Sequence, residues 1–351
     1  MEFEVLSEPK KIYLRMLNDI EKAQKSIYLE TYIYDDDSIG DKFLKLLIKK
    51  AKQGVRVKLL LDAMGSSADR GYFKELVALG GEVKFFREIR YVFRFFSENH
   101  QRNHRKLLLI DDRISYMGSS NITNNCLDWR ELVIRLTGNI SEHFVISFDK
   151  SWNLAGGISA TKIRSMFHRG YEIIQDIPSK FRIRRPYETK FIHLINSAKK
   201  IVRIETPYFV PPRNVRRSIV RALKRGVEVV LILPQKSDLF FIDAARNLYL
   251  GKLLRKGTKI YYFTPSPMHS KLLIVDSKFF LLGSSNLDYR SLHHQHEINL
   301  VGKNRKIINE LERHFSETLS QSREETYAQW KNRSRITRFF EKIAFYWRRY
   351  L

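Results

Sequence analysis

An internal duplication constrains this chain more than any other feature. The pattern His-x-Lys-x4-Asp occurs at residues 104–111 and again at residues 269–276. Each copy is followed at the same distance by Gly-Ser-Ser-Asn, at residues 118–121 and 283–286. A lone His-x-Lys is typical of a solvated strand edge, but two copies with matched downstream spacing indicate two related halves. The duplication therefore predicts one active site assembled from both halves, each supplying a histidine and a lysine.

The duplication extends into the flanking segments and predicts the fold class. Residues 23–31 resemble residues 198–206, and residues 52–62 resemble residues 224–234. In both halves the pattern indicates a strand, a helix, a Gly-Val turn, a second strand, a variable stretch and the tetrad strand. The strands are short apolar runs, which are typical of a buried sheet covered by helices. We therefore predict an α/β protein of two pseudo-symmetric α/β domains, each a mostly buried sheet flanked by helices, with the active site at the domain interface.

The boundary between the two domains is predicted within residues 152–185. Residues 155–157 (Ala-Gly-Gly) are the strongest signal in this stretch for a break between secondary-structure elements. The predicted domains are residues 1–155 and residues 156–351. The segment 182–186 is interpreted as the first strand of the second domain.

Composition indicates an anionic partner. The formal net charge of +25 favours either nucleic acid or a membrane rich in acidic lipid, and charge alone does not distinguish the two. The single cysteine, Cys126, excludes an intramolecular disulfide and a cysteine-based zinc site. The N-terminal residues show no basic region followed by an apolar run, and no run approaches the roughly 18 apolar residues of a membrane span, so neither a signal peptide nor a span is predicted.

Strand parity divides each tetrad into two parts. The histidine and the lysine are two residues apart on a strand-like run, so their side chains are expected on the same face. Asp111 and Asp276 are grouped with the candidate catalytic residues. Since parity points them to the opposite face, we expect a structural or orienting role for both.

Two histidines and two lysines that converge on one point suit a phosphodiester substrate. One neutral histidine can attack phosphorus, and the other, when protonated, can donate to the leaving alkoxide. A carboxylate on the second ring nitrogen of each histidine is expected to fix its tautomer. Cationic and amide donors can stabilise the developing oxyanion, so neither a metal nor a cofactor is expected. The predicted catalytic residues are His104, Lys106, Asp111, His269, Lys271, Asp276, Glu131 and Glu297, and the predicted phosphate-binding residues are Lys106, Lys271, Asn121, Asn286, Ser119 and Ser284.

The paired tetrads with Gly-Ser-x-Asn resemble the phospholipase D superfamily. Trp129-Arg130-Glu131 is similar to a Trp-Arg-Asp string of its bacterial cardiolipin synthases, with Glu in place of Asp. Further strings similar to these synthases are Leu-Glu-Thr-Tyr-Ile-Tyr at 29–34, Thr-Pro-Tyr-Phe-Val-Pro at 206–211, Leu-Pro-Gln-Lys-Ser-Asp at 233–238 and Gly-Ser-Ser-Asn-Leu-Asp-Tyr-Arg-Ser at 283–291.

This resemblance implies a metal-independent phosphatidyl transfer through a covalent phosphatidyl-histidine. It implies phosphatidylglycerol as the donor and the glycerol hydroxyl of another phospholipid as the acceptor, most simply a second phosphatidylglycerol. It assigns the nucleophile to His104 and the general acid and base to His269. Many such synthases begin with two membrane-spanning helices, and this chain is more similar to shorter, peripherally attached forms. We therefore expect a peripheral protein on the cytoplasmic side of a bacterial membrane, with the acceptor and the oligomeric state left open.

Two segments are candidates for membrane contact. Residues 91–96 (Tyr-Val-Phe-Arg-Phe-Phe) mix aromatic rings with arginine and are predicted to reach the headgroup level, with a hydrophobic plug as the alternative. Residues 338–351 are basic and aromatic at helical spacing, which predicts a C-terminal helix in the second domain. Lying on a membrane and docking on the protein body are equally compatible with that pattern.

The motifs leave other activities open. A nuclease or other phosphodiesterase could use the same tetrads and the same positive charge, but no nucleic-acid-binding module is recognisable, so nucleic acid is the less expected partner. A phospholipase D hydrolase differs only in using water as the acceptor. A non-catalytic lipid-binding protein is disfavoured because both tetrads are intact.

Overall fold

The computed structural model describes residues 2–87, 101–157, 165–177 and 185–347. Two sheets with helices packed against them form a two-domain α/β arrangement, which confirms the predicted fold class. The predicted membrane loop at residues 91–96 lies outside the described residues.

The first half builds a seven-stranded sheet. The strands of this half are β1 (Phe3–Leu6), β2 (Ser26–Thr31), β3 (Arg56–Asp62), β4 (Glu82–Phe86), β5 (Arg102–Asn103), β6 (Leu107–Ile110), β7 (Ile114–Gly118) and β8 (Val133–Thr137). Their order in the sheet is β1-β8-β7-β6-β2-β3-β4, and the short β5 belongs instead to the sheet of the second half. The helices are α1 (Pro9–Glu21), α2 (Ser38–Lys52), α3 (Lys74–Ala78) and α4 (Ile140–Ala155).

The second half builds a ten-stranded sheet. Its strands, with those of a separate two-stranded pair, are β9 (Met166–His168), β10 (Tyr171–Asp176), β11 (Ile201–Glu205), β12 (Phe209–Val210), β13 (Glu228–Pro234), β14 (Lys259–Phe263), β15 (Leu272–Val275), β16 (Phe279–Gly283), β17 (Leu287–Asp288), β18 (Gln295–Gly302) and β19 (Ser322–Glu325). The order is β19-β14-β13-β11-β15-β16-β18-β10-β9, with β5 paired to β18, while β12 pairs with β17. The helices are α5 (Pro186–Ser197), α6 (Arg213–Lys224), α7 (Phe240–Leu254), α8 (Tyr289–His293), α9 (Arg305–Ser320), α10 (Tyr327–Lys331) and α11 (Arg335–Trp347).

The duplicated sequence order reappears as duplicated topology. In the first half β2 pairs in parallel with β3 and antiparallel with β6. In the second half β11 pairs in parallel with β13 and antiparallel with β15. Strands β6 and β15, which directly follow the two tetrad lysines, therefore occupy matching positions beside β2 and β11.

A continuous apolar core joins the two halves. It contains Leu109 and Phe148 from the first half and Ile274 and Phe315 from the second, all at most 2% exposed. Helix α4 contacts both β6 and β10, and α9 contacts both β1 and β15, so these two helices lie between the sheets. Burial of this apolar surface is the main favourable contribution to docking of the halves.

The chain passes between the halves after α4. Helix α4 ends at Ala155, and Gly156 is its C-cap. The sequence predicted a break between elements at this point. Pro186 begins α5, so its interpretation as part of a strand is wrong, because a proline at the first helical turn loses no helical hydrogen bond. Residues 182–184 lie outside the described residues, and the division at residue 155 stays a prediction.

The tetrad aspartates tie each tetrad strand to its neighbour. Both lie in the turn after the strand with φ of +53°. The Asp111 carboxylate accepts hydrogen bonds from the backbone N–H groups of residues 24, 25 and 26, at 2.8, 2.7 and 2.9 Å. The Asp276 carboxylate accepts the equivalent bonds from residues 199, 200 and 201, at 2.7, 2.8 and 2.9 Å. The turn, rather than strand parity, thus directs both carboxylates to the start of β2 and of β11.

Replacing Asp111 by asparagine tests this anchoring role. Asparagine tolerates the left-handed backbone but carries no charge, so Asp111→Asn should lower the free energy of unfolding by about 1.5–3 kcal/mol. Asp112→Asn is the matched control, since Asp112 is an exposed neighbour with φ of +57°. Urea denaturation should show a lower midpoint for Asp111→Asn only, and equal midpoints for the two variants would contradict the assignment.

Candidate active site

The two tetrad histidines face each other where the halves join. The ring centroids of His104 and His269 are 6.4 Å apart, and the ring planes are nearly perpendicular, at 89°. Each histidine is 5% exposed. The structure therefore brings together the two reactive groups that the duplication predicted.

Each histidine is paired with a carboxylate from the other half. The Nδ1 atom of His104 lies 3.0 Å from Glu297 Oε1, and the Nδ1 atom of His269 lies 3.1 Å from Glu131 Oε1. Both glutamates are fully buried. When Nδ1–H donates to the carboxylate, the Nε2 lone pair is left for chemistry.

Backbone hydrogen bonds between the two halves bring each histidine next to the glutamate of the other half. The short β5 runs parallel to the start of β18, and the His104 N–H donates to the His296 carbonyl at 3.0 Å. In the same way the His269 N–H donates to the Arg130 carbonyl at 2.7 Å. The residue just before each glutamate thus binds the backbone of the histidine that the glutamate serves.

The two lysines lie beside the histidines and are buried. Lys106 Nζ donates to the His104 carbonyl at 2.7 Å, and Lys271 Nζ donates to the His269 carbonyl at 2.5 Å. Their exposed fractions are 4% and 3%. Each ammonium group has donors beyond this one bond, so both remain able to bind an oxyanion.

The serines of Gly-Ser-Ser-Asn do not take the predicted phosphate-binding position. Ser119 and Ser284 are fully buried, and their hydroxyls donate to Glu131 and Glu297 respectively. The same hydroxyls accept from the backbone N–H of residues 132 and 298, at 2.8 and 3.0 Å. With both functions of the hydroxyl occupied, these serines hold the carboxylates in place.

The glycine before each serine allows this approach. A Cβ atom on Gly118 would lie 2.2 Å from the Leu132 carbonyl oxygen. On Gly283 it would lie 2.3 Å from the Ile298 carbonyl oxygen. Any side chain at either position would separate the strand from the segment that carries the glutamate.

The two motif asparagines are both buried but differ in their contacts. Asn121 Oδ1 accepts from the Ile33 N–H at 3.2 Å. Asn286 Oδ1 is buried and, among the described residues, has no hydrogen-bond partner. A buried carbonyl oxygen without a partner is costly unless a ligand satisfies it, so Asn286 Oδ1 is available to a hydrogen-bond donor of the substrate.

Sequence reasoning missed several residues that line the histidines. The Tyr32 ring lies 5.3 Å from the His104 ring, and the Trp129 ring lies 5.5 Å from the His269 ring. Lys106 Nζ lies 5.4 Å from the Tyr32 ring centroid. Tyr32 and Trp129 belong to the strings that carry the family resemblance, and this was the signal that could have identified them.

The middle residue of each tetrad points away from the reacting groups. Arg105 lies 3.2 Å from the carboxylate of Glu30, and both side chains are fully buried. Ser270 Oγ donates to Glu205 Oε2 at 2.6 Å. Glu30 near the end of β2 and Glu205 at the end of β11 occupy matching positions of the two repeats, so each provides a buried carboxylate behind its tetrad. The sequence did not single them out.

Burial controls the charge of the basic groups. It lowers the pKa of His104 well below its usual range, and Lys106 and Lys271 add to the effect. Burial also lowers the pKa of His269. The positive charge of Lys271 adds to this effect, and the negative charge of Glu131 partly opposes it. Burial lowers the pKa of Lys106 to about 8 and that of Lys271 to about 7. A bound anion would reverse these shifts, because an opposite charge favours the ammonium form.

The two carboxylates differ in spite of the pseudo-symmetry. Burial raises the pKa of Glu297 to about 8, against the attraction of Lys106. Burial acts on Glu131 as well, but the adjacent His269 and Lys271 outweigh it, so the pKa of Glu131 is lowered. The ionised Glu131 therefore stabilises a positive charge on His269 more strongly than Glu297 does on His104.

The residues that the structure describes contain no cluster of three or more histidine, cysteine, aspartate or glutamate side chains suited to a metal ion. They also contain no helix with the length and apolarity needed to cross a membrane.

Comparison with known proteins identifies the family. The family described as "Cardiolipin synthase, PLD-like domain" matches residues 16–152 and 191–319. A cardiolipin synthase of Clostridium perfringens is 32% identical over 95% of this chain and 73% of that protein. The major cardiolipin synthase of Bacillus subtilis is 32% identical over 97% of this chain and 73% of that protein. The chain belongs to the phospholipase D-like cardiolipin synthase family.

Membership defines the class of enzyme. The protein is a cardiolipin synthase-type phosphatidyltransferase of phospholipid biosynthesis, and its substrates are phospholipids. A crystal structure of phosphatidylserine synthase from Haemophilus influenzae superposes with a TM-score of 0.78 at 14% identity, covering 99% of this chain and 93% of that one. The two proteins share a fold.

Glu297 provides a test of the crossed pairing. An amide in its place can donate to Nδ1 of His104 and stabilise the tautomer with Nε2 protonated, so Glu297→Gln should lower kcat by about 10²–10⁴-fold. Glu310→Gln is the control, since Glu310 is on the exposed face of α9. Ionisation of Glu297, with a pKa of about 8, should raise kcat/KM of the unmodified enzyme as pH rises. Deprotonation of Lys106 and Lys271, with pKa values of about 8 and 7, should lower it, so the pH profile should pass through a maximum. A glutamine variant that retains full activity would contradict the role of this pair.

Proposed function

We propose that the enzyme joins two phosphatidylglycerol molecules into cardiolipin and releases glycerol, through a covalent phosphatidyl-histidine on His104. The facing pair of His104 and His269, each held by a buried carboxylate, is the observation that carries the proposal. One histidine can serve as nucleophile while the other transfers the proton.

In the first step the lone pair on His104 Nε2 attacks phosphorus of the donor lipid. The P–N bond forms as the bond from phosphorus to the terminal glycerol oxygen breaks. His269, protonated on Nε2 and stabilised by Glu131, donates its proton to the leaving alkoxide, so glycerol departs neutral. The low pKa of His104 keeps it in the neutral form that attack requires.

In the second step the terminal hydroxyl of another phosphatidylglycerol takes the place of glycerol. His269, now neutral, removes the hydroxyl proton while the oxygen attacks phosphorus and the P–N bond breaks. Cardiolipin is released, His104 is again neutral, and His269 again carries the proton. The cycle therefore balances with no external acid, base or metal.

The remaining groups stabilise charge on the phosphoryl oxygens. Lys106 and Lys271 provide buried donors, so the developing negative charge meets fixed ammonium groups in a site largely shielded from water. The side-chain N–H groups of the buried Asn121 and Asn286 are proposed to add to this donor set. We assign Glu131 and Glu297 to orienting the histidines, and Asp111 and Asp276 to the fold. This donor set is the reason to propose metal-independent chemistry.

The substrate places the enzyme at a bilayer. A net charge of +25 favours a membrane with anionic lipid, and we propose peripheral attachment at the cytoplasmic face of a bacterial membrane.

Phosphatidylglycerol vesicles test the overall reaction. Purified enzyme with a metal chelator should form cardiolipin and glycerol in equal amounts, measured by lipid mass spectrometry and a glycerol assay. Phosphatidic acid as the main product would show a hydrolase, and a folded enzyme that makes neither product would contradict the proposal. Cleavage of single-stranded DNA in chelator would favour the nuclease alternative.

A substrate with an activated leaving group separates the roles of the two histidines. A p-nitrophenyl ester of phosphatidic acid needs no proton donor, so His269→Ala should release about one equivalent of nitrophenol and retain the phosphatidyl group, detected by intact-protein mass spectrometry. His104→Ala should show neither the burst nor the adduct. An adduct that persists in His104→Ala would reverse the assignment.

A further inference from the structure

Six large apolar side chains form an exposed ridge on the second half. Phe240 and Phe340 meet with ring centroids 6.1 Å apart, which joins the start of α7 to α11. Exposed apolar side chains grouped in this way mark a contact surface more often than scattered single residues do. The ridge consists of Leu239 (43% exposed), Phe240 (63%), Phe241 (52%), Ile336 (71%), Phe339 (62%) and Phe340 (42%).

Helix α11 is fixed to the protein body while this face points outward. Trp330 in α10 donates its ring N–H to the Asn247 carbonyl at 2.8 Å. Arg333 binds both oxygens of the buried Glu341, at 2.6 and 2.8 Å, and Ala344 is fully buried. The contacts of α11 with α7 thus use one face. Docking of this helix on the body, one of the two alternatives that the sequence left open, therefore leaves its aromatic face uncovered.

The charge around the ridge is positive. Arg335, Arg338 and Lys342 of α11 are exposed. The acidic residue of this helix, Glu341, is buried against Arg333 and does not offset them. A basic rim around exposed aromatic rings matches a surface of anionic lipid headgroups.

One end of the ridge, at Leu239, lies near the active site. Strand β13 runs parallel to β11, whose end Glu205 pairs with Leu272 at the start of β15, directly after Lys271. The carboxyl end of β13 is therefore at the same sheet edge as the second tetrad, and Leu239 follows it closely in the chain. Asp238 accepts from the Tyr208 hydroxyl at 2.6 Å, and its charge opposes the burial that lowers the pKa of Lys271.

We propose that this ridge is the surface by which the enzyme docks on an anionic bilayer, with its rings at the headgroup level and its active site open to the lipid phosphates. The proposal rests on the proposed function, because a bilayer substrate must reach Lys271 from that edge. Apolar insertion and attraction to anionic lipid act together in such a surface.

Vesicle co-sedimentation tests the ridge directly. The double variant Phe240→Ser with Phe339→Ser should bind vesicles of phosphatidylglycerol and phosphatidylcholine about tenfold more weakly or worse. Phe167→Ser is the matched control, since Phe167 is 70% exposed on β9, away from the ridge, and should bind as the unmodified protein does. Binding should also weaken with added salt and with vesicles of phosphatidylcholine alone.

Activity on two forms of substrate separates docking from chemistry. The double variant should lose about tenfold activity on vesicles but keep activity within about twofold on short-chain phosphatidylglycerol below its micelle concentration. If no enzyme form makes cardiolipin, the proposed function fails while the binding comparison still tests the ridge. Unchanged vesicle binding by the double variant, or an equal loss of binding in Phe167→Ser, would overturn the proposal. A change in self-association, measured by size-exclusion chromatography, as the only effect of the double variant would also overturn it, because the ridge would then bind a second copy of the chain.

Discussion

The crossed pairing of histidine and carboxylate is the constraint on which the rest of the site depends. Glu297 serves His104 and Glu131 serves His269, so neither half contains a complete catalytic pair. The backbone bonds that bring them together cross the same junction. Buried ionisable groups are unfavourable unless they are paired, so docking of the halves and assembly of the site are one event. The shared apolar core around α4 and α9 supplies the free energy that this docking requires.

The site holds positive charge at an energetic cost. Two lysines and two histidines are almost completely removed from water, and burial lowers the pKa of each. A phosphodiester brings the negative charge that compensates for this desolvation. Substrate binding and full protonation of the lysines are therefore coupled. The protonated lysines can then stabilise the additional negative charge that develops in the transition state.

Pseudo-symmetry supplies two similar half-sites, and small differences separate their roles. The carboxyl of Glu297 ionises less readily than that of Glu131, because His269 and Lys271 stabilise the Glu131 carboxylate more strongly. The two halves also differ behind the tetrads. Arg105 forms a buried ion pair with Glu30 in the first half, whereas Ser270 donates a hydrogen bond to Glu205 in the second. Duplication thus provides both histidines, and their unequal surroundings support the proposed division into a nucleophile and a proton donor.

The sequence by itself determined the features that local spacing can encode. The repeated order of strands and helices, the convergence of His104, Lys106, His269 and Lys271, and the choice of Glu131 and Glu297 as partners all follow from the duplicated pattern. Only the tertiary structure decided which glutamate serves which histidine, because that pairing depends on how two distant segments dock. It likewise turned Ser119 and Ser284 toward the carboxylates, since the close approach at Gly118 and Gly283 is a contact between strands. The aromatic ridge joins residues about a hundred positions apart, and no periodicity within either helix records that they are neighbours.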